Sequence, residues 1–109
     1  MPTPMPTEEL ELRLRLDEAV GRIRSNLNRC PFVDELHALD DADVAAAAAL
    51  AEQTNQALLD ALACTDALEQ LRSASQDAAL LCATSRTALG VVREVLTVLT
   101  AAVDSRQAA

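Results

Sequence analysis

Aromatic residues are almost missing from this chain. Phe32 is the only one in 109 residues, with no Trp and no Tyr. The large apolar payload of most small cores is therefore absent. Lysine is missing too, since all nine basic residues are arginine. Glycine occurs only at 21 and 90, and all four prolines lie at or before Pro31. Beyond Pro31 no strong β-turn signal remains, which argues against a sheet protein.

Catalytic signatures are equally scarce. No Gly-rich phosphate loop and no G-x-S-x-G elbow occurs, and His37 is the only histidine. Asp34 at i−3 and Asp41 at i+4 would share a helical face with His37. A second His or Cys at ligand spacing is lacking, so a boundary histidine is the expectation and no metal or other cofactor is expected. A Cys30–His37 nucleophile pair is outweighed by the ordinary role of cysteine as a small apolar residue. The "DDAD" run lacks the Gly and distal Glu of a calcium loop. No enzyme is expected.

Cys30, Cys64 and Cys82 are odd in number and contain no C-x-x-C. No basic n-region leads into an apolar run near Met1. Both features favour a reducing, cytoplasmic setting. Net charge is −8. Nucleic acid is not an expected partner, because phosphate binding runs on clustered Lys and Arg. The charge is uneven: five acids and five arginines in residues 1–29, then nine acids and no Arg in residues 30–71. Such a block is a solvated face or a surface that selects a basic partner helix.

What remains is Ala, Leu and Val in helical order. "MPTPMPT" (residues 1–7) reads as a disordered leader. "ELELRLRL" (Glu9–Leu16) alternates like a strand, but no partner strand is on offer. Glu9–Arg13, Glu11–Arg15 and Glu18–Arg22 are i,i+4 pairs of favoured orientation, each worth ~0.2–0.5 kcal/mol. Leu12, Leu16, Val20, Ile23 and Leu27 form one stripe of a 3.6-period helix. A helix over 8–29 is expected, capped by Thr7. Leu10 and Leu14 fall outside that stripe and suggest a second contact surface. Gly21 marks either a close helix crossing or nothing. A short helix over 32–39 follows, with Phe32, Val33, Leu36 and Leu39 on one side. "DDAD" then supplies N-cap chemistry.

From Ala47 to Val103 one ladder alternates steps of three and four without a slip, through eight heptads. It runs through Leu50, Thr54, Ala57, Ala61, Cys64, Leu68, Leu71, Ser75, Ala78, Cys82, Ser85, Leu89, Val92, Leu96 and Leu99. Its unbroken phase favours one continuous helix over 42–106. The alternative is a hairpin turning near Ser73, where Ser73-x-x-Gln76 is a capping-box pattern. Reflection there sets Ala47 opposite Leu99 and Cys64 opposite Cys82. "ALGVVREVLTVLTAAV" is apolar nearly all round, which implies burial on several sides. It is short for a membrane span and has charges at its centre, so direct membrane insertion is not expected.

The expected class is all-α: long heptad-patterned helices, as a coiled coil or elongated bundle, preceded by a shorter amphipathic helix, in one domain over 8–109. The expected role is a non-catalytic structural or adaptor subunit of a helical assembly. Its partners would be other helical protein subunits, with a hetero-oligomer expected ahead of a homodimer. The candidate interface is Leu10, Leu12, Leu14, Leu16, Val20, Ile23 and Leu27, together with Leu89, Val92, Leu96, Leu99 and Val103. A self-contained three- or four-helix bundle serving as a regulatory or ligand-binding module is the alternative.

Overall fold

The structure is a computed structural model that describes residues 7–71 and 75–108. The expected leader lies outside the described residues except for Thr7. Three α-helices are present: α1 (Thr7–Arg29), α2 (Asp41–Gln70) and α3 (Gln76–Ala108). A 3-10 segment, Val33–Ala38, links the first two. Among the described residues there is no strand, and the all-α expectation holds.

The long helix does not run on. It breaks between Gln70 and Gln76, and α2 and α3 pack antiparallel. Reversal lets one half of the ladder bury the other. Ala47, Thr54, Ala57, Ala61, Cys64 and Leu68 of α2 are buried, as are Ala78, Cys82, Ser85, Leu89, Leu96, Leu99 and Val103 of α3. The reflected register is matched at two distant levels, each within one residue. The Cys82 thiol lies 3.7 Å from the Thr65 carbonyl oxygen, and Arg106 lies 3.1 Å from Asp41. Small side chains allow close helix approach. The hydroxyls on the seam do not go begging: Thr54 donates to Leu50 O at 2.6 Å and Thr65 to Ala61 O at 2.8 Å.

The turn chemistry also differs from expectation. Ser73 lies outside the described residues. The cap is Ser75, whose Oγ accepts from Ala78 N at 3.1 Å. A local capping box would return a carboxylate from the third residue of the helix, but Ala78 has none. Glu9 of α1 supplies it instead. One Glu9 oxygen accepts from both the Ser75 N–H and the Ser75 hydroxyl, each at 2.9 Å. Glu9 is only 1% exposed, and these two bonds hold its carboxyl below the ordinary value of 4.5. One clamp thus joins the start of α1 to the start of α3.

That clamp fixes direction. α1 and α3 run parallel, and α2 packs against both. Leu16, Ala19 and Ile23 join Leu58, Ala61, Leu68, Leu89 and Leu96 in one core cluster. α1 starts at Thr7, so the residue expected to cap it is its first helical residue. Arg22 reaches across to Asp60 at 3.3 Å, not along its own helix to Glu18.

At the other end the expected short α-helix is a single 3-10 piece. Extended residues bracket it, Phe32 at ψ 148° and Leu39 at ψ 151°, so it ends after two 3-10 turns. Of the four apolar residues expected on one side, only Leu36 is buried, Leu39 is half-buried, and Phe32 and Val33 are exposed. Leu36 joins Val44, Ala47, Ala51, Leu99 and Val103 in a second cluster. Asp40 caps α2 by accepting from Asp43 N at 2.8 Å. Arg106 closes this end, donating to Leu39 O at 2.9 Å beside its ion pair with Asp41.

Candidate interaction surface

α1 and α3 do not close fully against each other. A groove of about 630 Å³ opens between them, walled by Leu10, Leu14 and Val20 on one side and by Leu81, Ala88 and Val92 on the other. A second opening of about 430 Å³ follows along the same side of α3, where Phe32 and Val33 stand beside Val95 and Val98. A core cut open in this way is what a missing fourth helix leaves behind.

Most of the molecule's exposed large apolar side chains face these two openings. Leu10 and Leu14 line the first, at 46% and 60% exposure. Phe32, Val33, Val95 and Val98 line the second, and Phe32 is 77% exposed. Leu80 and Val91 are exposed farther along α3. Leu80, Thr84, Thr87, Val91, Val95, Val98 and Ala102 step by 4, 3, 4, 4, 3 and 4. That is an 11-residue repeat, a second stripe on α3 beside the heptad one that meets α2. The helix that reads as apolar on several sides is covered by its own chain on one.

The candidate interface residues divide accordingly. Leu16, Ile23, Leu89, Leu96, Leu99 and Val103 are buried in the chain's own core. Leu12, Val20, Leu27 and Val92 are half-buried against it. Leu10 and Leu14 are the two that stand in the open. Phe32, Val33, Leu80, Val91, Val95 and Val98 lie outside that set of candidates. For the four on α3, the sequence signal is a second stripe offset from the first.

Charge is nearly absent from the groove. Its charged lining residues are Arg13, Asp17 and Glu94. α1 carries five acids and five arginines, and α3 three of each. Of the nine acids of residues 30–71, two lie on the 3-10 segment, six on α2, and Asp40 is the cap of α2. Several of them serve the fold. Arg86 of α3 forks onto Glu69 at 2.6 and 2.8 Å and also bonds Asp66. That pairing pulls the Glu69 carboxyl below its ordinary value.

Among the described residues no group of three or more His, Cys, Asp or Glu is placed to hold a metal. The thiols of Cys30 and Cys82 are pushed up by burial, the reverse of an activated thiolate. Gly21 meets nothing within 4 Å of an added Cβ, so no crossing helix of this chain explains it. No helix among the described residues is long and apolar enough to cross a membrane. Comparison with protein-family models, with characterised proteins and with solved structures finds no match to this chain.

Proposed function

We propose that this chain is a non-catalytic subunit of a helical protein assembly and that the α1–α3 groove is its docking surface. The observation that supports this most directly is the second apolar stripe of α3, exposed in an otherwise finished bundle. A monomer gains nothing from ordering Leu80, Val91, Val95 and Val98 in one file, and contiguous apolar patches of this kind mark interaction sites. The mechanism is burial. A helical surface of the partner lies along the groove in coiled-coil fashion, and Leu10, Leu14 and Phe32 serve as anchors. The proposed setting is the cytoplasm, where the three free cysteines stay reduced.

A photo-crosslinking side chain at Leu14 or Val95, in the full chain inside the cells that make it, tests the reading. Covalent protein adducts at both positions are expected, and none at Glu52 on the outer side of α2. Absence of adducts at both groove positions overturns it. The size of the first opening, about 630 Å³, also suits a small apolar ligand. In that case Leu14 and Val95 yield no protein adduct, and an apolar small molecule raises the Tm of the isolated chain.

A further inference from the structure

We infer that the occupant of this face is a second copy of this chain, docked across the exposed stripe of α3 about a two-fold axis beside Val91, which stands exposed at the edge of the two openings and lines neither. This rests on the docking reading above and names its partner.

Three observations point to it. The first is charge. The chain is strongly acidic, yet both helices that wall the groove are electrically balanced. A basic helix would find no complement there. A second copy meets a neutral, apolar surface like its own. α2 packs on both α1 and α3 and carries six of the nine acids of residues 30–71, so most of that charge sits away from the contact face of the pair. The repulsion that net charge would impose is then kept at a distance, and screening weakens it beyond ~8–10 Å.

The second is spacing. The stripe on α3 reads the same in both directions from Val91. An antiparallel partner therefore sets Val91 on Val91, Val95 on Thr87, Val98 on Thr84 and Ala102 on Leu80. Each larger apolar residue off the axis meets a smaller or differently shaped one. The same rotation carries the Leu10–Leu14 end of one groove over the Phe32–Val33 end of the other. Each opening is covered by the wall its own chain lacks, which is the isologous pattern of a two-fold dimer.

The third is area. Leu80 to Ala102 spans about 33 Å of helix at 1.5 Å per residue, and the molecule is 18 Å across. The flat footprint is roughly 600 Å². Counted on both partners this is about 1,200 Å², the lower end of the range for specific interfaces.

The test uses the full chain. Light scattering at about 100 µM, where a micromolar dimer is nearly complete, is expected to give twice the 11.6 kDa chain mass. Val95→Glu and, separately, Leu14→Glu are expected to return it to the single-chain mass with unchanged helicity. In a Cys30→Ser background, Val91→Cys is expected to form a disulfide-linked pair under mild oxidation, while Glu52→Cys does not. A single-chain mass for the unaltered protein, with Val91→Cys crosslinking no faster than Glu52→Cys, overturns the second copy. In-cell adducts at Leu14 and Val95 to a different chain would then leave the docking reading standing. The absence of any adduct would remove both.

Discussion

Val95 and Leu96 are neighbours in sequence, alike in chemistry and opposite in fate. Leu96 is 4% exposed and packs with Leu16, Ile23 and Leu58. Val95 is 47% exposed on the groove. The same contrast runs the length of α3. Its inner stripe includes Ala78, Cys82 and Ser85, residues of modest hydrophobicity, all buried. Its outer stripe includes Leu80, Val91 and Val98, which are more apolar and exposed. Hydrophobicity alone does not select the face that a chain uses for itself. Selection comes from geometry: small residues let α2 approach, and the clamps at Glu9, Arg86 and Arg106 hold that register.

Substitutions can break or sharpen the contrast. Leu96→Ala removes a buried side chain and is expected to cost about 2–5 kcal/mol, read from urea unfolding. Ala61→Leu should come next, since Ala61 is fully buried where α2 meets its neighbours. Overpacking there is expected to cost about 1–3 kcal/mol by the same measurement. Glu9→Gln acts on the clamp and is read from the shape of a pH curve. Glu9 is held below 4.5 by Ser75 in the folded chain, so its contribution is full above that pH and fades as pH falls through the folded value. The variant should lose Tm less steeply than the parent below about pH 4.5, with the Glu69 share remaining. Val95→Glu closes the series: unfolding free energy measured on the monomer should shift by no more than about 0.5 kcal/mol. A loss as large as that of Leu96→Ala would show that the outer stripe belongs to the chain's own core.

Much of the fold was legible in residue order. The ladder from Ala47 to Val103 is the α2–α3 seam, and "DDAD" does contain the cap of α2. Both are local patterns, so a single sequence displays them. The break in the long helix was not decidable from such patterns. Its cap is Ser75, and the carboxylate that completes the cap sits 66 residues away in α1. A local search finds Ser73-x-x-Gln76 instead. The surface was half legible. Leu10 and Leu14 stood apart from the Leu12–Leu27 stripe, and in the structure they are exposed. The outer stripe of α3 was hidden because two apolar files on one helix look alike until a neighbour covers one of them. Phe32, the largest apolar side chain, shares a side with Leu36 in a helical reading but lies in the open, because it stands in extended backbone ahead of the 3-10 segment.

The Glu9–Ser75 bond also orders events in time. α2 and α3 follow each other closely in sequence, Gln70 to Gln76, so their contacts zip up from nearby residues at little cost in chain entropy. The clamp must close a far longer loop, and it has no target until Ser75 is in place at the head of α3. The clamp therefore closes late, after α1 and α3 have each packed on α2. In kinetic terms Glu9 should have a φ-value near zero: Glu9→Gln speeds unfolding and leaves the folding rate almost unchanged, as a stopped-flow chevron would read directly.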